Sequence, residues 1–136
     1  MHNLNPISPL GNTKPLSEEF GSYTLSEITS YSLASFTLRK GTEGDARKII
    51  EQFIQGSLPD IMTSNFGKIS SFWIGPSQWL IEAPMETHED LAGDLTEIAN
   101  GTASVTEQTD AWCRFDLKGQ ELASPLALLC NVDVPS

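Results

Sequence analysis

The sequence predicts an α+β domain, a mostly antiparallel sheet with helices packed on it. Three observations carry that expectation. Near the middle, the run Phe72-Trp73-Ile74-Gly75-Pro76-Ser77-Gln78-Trp79-Leu80-Ile81-Glu82-Ala83-Pro84 sets two short apolar segments around a Gly-Pro turn, the pattern of a tight β-hairpin. An amphipathic helical stripe stands on either side of it. Further strand-like runs open and close the set, so helices alternate with paired strands.

Residues 1–22 read as an extended arm, because Pro6, Pro9, Gly11, Pro15 and Gly21 interrupt every hydrophobic period. A single domain is expected over 23–136. Its first strand is Leu33-Ala34-Ser35-Phe36-Thr37-Leu38, rich in residues that suit a pleated surface. A helix follows from an N-cap at Thr42, with Asp45 as a capping-box partner. Ala46, Ile49, Ile50, Phe53 and Ile54 form its stripe, Gly56 marks its end, and Pro59 forbids continuation. The hairpin strands are 71–74 and 79–83, the second stopped by Pro84.

Thr87 is read as the cap of a second helix, with Asp90 three residues on. Leu91, Leu95, Ile98 and Ala99 form its apolar stripe, and Asn100-Gly101 end it. Gly93 inside it costs about 1 kcal/mol against alanine, so this helix depends on packing. Strands over 103–108 and 111–117 come next. The second alternates Ala111, Cys113, Phe115 and Leu117 against Trp112, Arg114 and Asp116. Gly119 opens a last helical segment carrying Leu122, Leu126, Leu129 and Cys130. Pro125 is either the first residue of a short helix capped by Ser124 or a bend in a longer one.

The 136 residues suffice for one core without disulfides. Cys113 and Cys130 lie in apolar surroundings, too far apart for a metal knuckle, and are expected to be buried thiols. The net charge of −10 is uneven: from Glu82 onward, eleven acids face only Arg114 and Lys118. That balance argues against nucleic acid and against an anionic membrane surface. There is no apolar run long enough to span a membrane. The start, Met1-His2-Asn3-Leu4-Asn5-Pro6, lacks the features of a signal peptide, and a cytoplasmic location is expected.

Catalytic groups are scarce. Nucleophilic catalysis needs a base beside the nucleophile, yet the histidines are His2, in the arm, and His88, at an acidic helix start. Gly75-Pro76-Ser77-Gln78-Trp79 joins two strands and so is no nucleophile elbow. Glu86, His88, Glu89 and Asp90 are read as a helix start that complements the dipole, not as a metal site. Lys40-Gly41-Thr42-Glu43-Gly44 lacks phosphate-loop spacing. Trp73, Trp79 and Trp112 are read as core or interface aromatics ahead of a stack for a flat ligand such as a pterin. No catalytic, cofactor or metal residue is assigned.

Three stretches together resemble the gamma subunit of heterotetrameric sarcosine oxidase. The hairpin residues Gly75-Pro76-Ser77-Gln78-Trp79-Leu80-Ile81, followed by Ala83-Pro84, are similar to that family's turn signature and its alanine-proline close. Residues 105–119 are similar to its strand pair leading into a glycine. Residues 119–134, ending Cys130-Asn131-Val132-Asp133-Val134, are similar to its terminal helix and C-x-L-D-L motif. Ser8-Pro9-Leu10 also fits its opening.

The resemblance implies a structural subunit of an enzyme of sarcosine catabolism and one-carbon metabolism. That enzyme demethylates sarcosine to glycine with hydrogen peroxide, and the methyl carbon leaves as formaldehyde or methylene-tetrahydrofolate. The implied partners are the alpha, beta and delta subunits, with FAD, FMN, NAD and tetrahydrofolate held by alpha and beta and no cofactor held by this chain. The implied fold resembles the folate-binding module of aminomethyltransferases, so a small folate-binding module or a stand-alone interaction domain is the alternative. Two departures stand out. Pro125 falls inside the helix, and the family continues beyond the position of Ser136, so the chain is expected to lack a C-terminal segment.

Overall fold

Eight strands and three helices alternate along residues 7–130, the part of the chain that the computed structural model describes. In order they are β1 (Ser17–Phe20), β2 (Tyr23–Ile28), β3 (Tyr31–Leu38), α1 (Glu43–Ile54), β4 (Ser64–Asn65) and β5 (Ser70–Gly75). There follow β6 (Gln78–Pro84), α2 (Leu91–Ala99), β7 (Ala103–Glu107), β8 (Arg114–Lys118) and α3 (Ala123–Leu129). The class is the α+β arrangement that the alternation of stripes and runs predicts. The strands divide into two antiparallel sheets, ordered β4-β5-β6-β3-β7 and β1-β2-β8.

The larger sheet lies in a compact unit spanning Ser30–Trp112. Its chain path is strand, helix, hairpin, helix, strand, and each helical connection skips one strand. α1 leads from β3 to β5 past β6, and α2 leads from β6 to β7 past β3. These two interlocked split β-α-β units make a ferredoxin-like arrangement. The helices share one face of the sheet. Ala46 and Ile50 of α1 and Leu91, Leu95 and Ala99 of α2 pack with Ala34, Phe36, Trp79, Ile81 and Ala83. Both faces of β3 are buried between Ser32 and Phe36, so its pattern reads as a continuous run.

The helix ends differ from the sequence expectation in informative ways. Thr42 flanks α1, but its hydroxyl donates to the Arg39 and Thr102 carbonyls instead of capping the helix. No Thr42–Asp45 capping box forms; it is Glu43 that reaches back, accepting from Gly41 N–H. At the other end Gln55, not Gly56, takes the left-handed conformation, with Gly56 N–H bonded to Glu51 O and Gln55 N–H to Gln52 O. That pair of bonds is a Schellman motif displaced by one residue from the expected glycine.

α2 begins at Leu91, three residues later than a cap at Thr87 would place it. β6 runs one residue further than expected, through Pro84, which pairs with Tyr31. A turn over 85–87 follows in which Thr87 bonds the Pro84 carbonyl, so Asp90 becomes the cap and accepts from Gly93 N–H at 2.9 Å. The glycine that weakens the helix is what admits this cap, since a Cβ at Gly93 would run into the Asp90 carboxylate. Asp90→Ala is therefore expected to destabilise the chain by about 1 kcal/mol. Thr87→Ala, away from any cap, is expected to stay within about 0.5 kcal/mol. Urea titration of the two variants checks the assignment.

The second unit joins the chain before residue 30 to the chain after residue 112. The single domain read over 23–136 does not anticipate this division, because β2 and β8 are 90 residues apart and only their pairing brings them together. Nor does the arm reading anticipate β1, whose hairpin with β2 turns at Gly21. β8 starts at Arg114, and Ala111 belongs to a short 3₁₀ turn, so the strand starts three residues later than expected. Cys113 is thus exposed, and so is Cys130, at the end of a helix that buries none of its residues. Both corrections have one cause: the apolar pattern around each cysteine does not continue into a core. Pro125 is the third residue of α3, within the first turn, where no intrahelical donor is lost. Residues 1–6 and 131–136, which include His2 and the Asp133 of the C-terminal motif, lie outside the described residues.

Candidate functional site

Among the described residues of the second unit, an apolar groove opens between α3 and the small sheet. Cross-strand register creates it, because residues directly opposite in an antiparallel pair share a face. Phe20 stands opposite Tyr23, and Leu25 opposite Leu117. Phe115 completes that face from β8, and Pro125, Leu126 and Leu129 of α3 form the other wall. The enclosed space is about 370 Å³, within the size range of ligand and side-chain pockets. Its walls stay partly open to solvent: Phe20 is 53% exposed, Phe115 40% and Leu129 78%.

At one end of the same face sits Glu27, opposite Phe115 and only 4% exposed. Its carboxylate accepts from the backbone N–H groups of Leu10 and Leu16, pinning residues 10–16 beside β2. Burial pushes this carboxyl up, but the Leu16 and Leu10 N–H groups and the nearby Ser8 hydroxyl outweigh it and hold the pKa below the ordinary value. A lowered folded pKa stabilises above the ordinary carboxylate range, and that contribution is lost as pH falls through the folded value. Exchange protection of the Leu10 and Leu16 amides is expected to persist at neutral pH and to fall in acid, below the ordinary carboxylate range. Glu27→Gln should weaken that protection already at neutral pH, as read by hydrogen exchange.

Arg114, Asp116 and Lys118 alternate to the other face of β8, where Arg114 pairs with Asp116 at 3.3 Å. Glu18, opposite Leu25, shares the groove face and is exposed. The strand charges on the groove side are thus acidic.

Trp73 and Trp79 stand opposite each other in the hairpin, and Trp112 lies apart from them. Trp79 is 4% exposed in the core, its Nε1–H donating to the Pro59 carbonyl at 2.9 Å. The Arg47 guanidinium lies 5.2 Å from its ring centroid. Trp73 is its cross-strand neighbour and is half-buried against the same core. Trp112 follows β7 at the far edge of the sheet and is 54% exposed, with Nε1 bonded to Gln108. They form no common aromatic sandwich. His88 is half-buried, hydrogen-bonded with Thr87 and edge-on to Phe53 at 5.6 Å. Ser77 occupies the hairpin turn with φ 57, remote in type from a strand-to-helix elbow. Among the described residues, no three His, Cys, Asp or Glu gather as a metal would require, and no helix is long and apolar enough to cross a membrane.

The groove itself was not legible in the sequence. Phe20 lies in the presumed arm, and Phe115 and Leu117 read as ordinary strand residues. The available signal was Phe20-Gly21-Ser22-Tyr23, a two-residue hairpin with an aromatic on each side.

By sequence the chain matches no family model and no curated protein. By structure it is similar to a chain of the heterotetrameric sarcosine oxidase from Corynebacterium sp. U-96, solved in complex with pyrrole 2-carboxylate. The TM-score is 0.61 at 16% identity, over 76% of this chain and 53% of that one. This chain therefore spans about half the length of that chain. The likeness establishes a shared fold.

Proposed function

We propose that this chain is a structural and assembly subunit of a sarcosine oxidase complex, with no catalytic residue of its own. The observation that carries the reading is the fold shared with a chain of a heterotetrameric sarcosine oxidase. The resemblance of the hairpin and C-terminal motifs to the gamma subunit of that family supports reading the chain as this subunit. The apolar groove supports an assembly role, because α3 and the small sheet leave large apolar side chains in solvent.

On this reading the alpha, beta and delta subunits are the partners, in the cytoplasm. Alpha and beta would hold FAD, FMN, NAD and tetrahydrofolate, and the complex would demethylate sarcosine to glycine, with hydrogen peroxide and formaldehyde or methylene-tetrahydrofolate as the other products. Trp79 serves packing, since its ring is covered by Arg47 and its N–H is bonded to Pro59. Co-expression with the alpha, beta and delta chains followed by size exclusion tests the proposal. Co-elution at a fixed stoichiometry is expected. A monodisperse monomer that never co-elutes overturns it.

A further inference from the structure

We infer that the groove between α3 and the β1-β2-β8 sheet docks a partner-protein segment that presents apolar side chains flanked by lysine or arginine. The inference rests on the assembly reading only for which protein carries that segment. Size is the first argument. An apolar cavity of about 150 Å³ holds one benzene ring, so the roughly 370 Å³ here accommodates more than one large side chain. The second argument is α3 itself. It has seven residues, none buried, and Leu128 and Leu129 are 88% and 78% exposed. Isolated helices of that length are marginal in water, and an apolar segment laid across the groove would supply the packing that α3 lacks.

Charge selects the occupant. The strand acids on the groove face are Glu18 and Glu27, while Arg114 and Lys118 of β8 point to the opposite face. Glu27 is satisfied by backbone donors, which leaves exposed Glu18 as the charge beside the apolar wall. The whole chain carries −10, so a second copy meets like charge, whereas a basic segment meets attraction. The same charge repels an anionic lipid surface.

The test uses the full chain and a synthetic two-heptad peptide of leucine and lysine at amphipathic helical spacing. Peptides with glutamate replacing lysine, and with serine replacing leucine, are the controls. Titration followed by NMR is expected to shift Phe115, Leu117 and Leu126. Leu126→Asp should weaken binding about tenfold, and Glu18→Lys a few-fold, with the charge-dependent part fading as salt rises. Leu129→Asp, at a side chain already exposed, is the second variant should Leu126→Asp unfold, and it too should weaken binding.

Equal affinity for the leucine-glutamate peptide removes the charge argument and overturns the inference. Equal affinity for the serine-lysine peptide overturns it as well. So do shifts confined to the exposed acids Glu86, Glu89, Asp94 and Glu97, which would mark general acidity. Displacement of the peptide by a small apolar dye that binds more tightly assigns the groove to a small ligand instead. Groove variants that lose the peptide yet still co-elute with the oxidase chains leave the assembly reading standing and place its interface elsewhere. A wild-type chain that binds the peptide but never co-elutes does the reverse.

Discussion

Trp79→Ala is expected to destabilise the chain by about 3–5 kcal/mol, the cost of truncating a large buried aromatic. Against a total stability of about 5–15 kcal/mol for a natural domain, that is enough to leave a large unfolded fraction. Three losses combine. The ring is 4% exposed within the core of the larger unit, its N–H bonds the Pro59 carbonyl, and its face carries Arg47. Trp79→Phe separates them, since it keeps most of the apolar area and leaves the carbonyl without its donor, at about 1–3 kcal/mol. Arg47→Ala, at a side chain 44% exposed, should cost less than about 1 kcal/mol. Urea unfolding of the three variants gives the ranking. If Trp79→Ala left folding and co-elution intact but abolished turnover of the assembled complex, the scaffold role of this residue would be wrong.

Gly119→Ala is expected to cost about 1–3 kcal/mol, the range for forcing atoms into a packed site. A Cβ at position 119 would stand 2.8 Å from the Ser22 carbonyl oxygen and would also strike the Tyr23 ring. Neither can retreat cheaply, because Ser22 lies in the β1-β2 turn and Tyr23 is paired with Phe20. Since Tyr23 also lines the groove, the change should disturb the site as well as the unit. The expected result is faster amide exchange in β2 and β8 and weaker binding of the leucine-lysine peptide, with the exchange of β3 and β6 unchanged. Slow exchange retained in β2 and β8 would show that the turn has room the geometry denies it.

Elements with their own local signature were legible. The α1 stripe from Ala46 to Ile54 and the Gly75-Pro76-Ser77-Gln78 hairpin appear where the periodicity places them. Cap identity was less legible, because Thr42, Thr87 and Asp90 are all good cap residues. Which one bonds a helix amide depends on how the preceding strand delivers the chain. Thr42 was drawn instead to the Thr102 carbonyl, 60 residues away, a partner no local window contains. The cysteines mislead for a related reason. Apolar neighbours in sequence imply burial only when the local period continues into a core, and at Cys113 a 3₁₀ turn interrupts it.

By itself the sequence determined the α+β class, the succession of strand, helix, hairpin, helix and strand in the larger unit without its short β4, the reading of Trp79 as a core or interface aromatic, and the acidic balance. All of these follow from short-range period, turn chemistry and counting. Only the tertiary structure decided that β2 pairs with β8 and that Glu27 holds the N-terminal segment. It alone showed that Phe20, Leu25, Leu117 and Leu126 share one groove. The physical reason is sequence separation: pairing strands 90 residues apart depends on the packing of the whole chain, and no local preference of either strand encodes it.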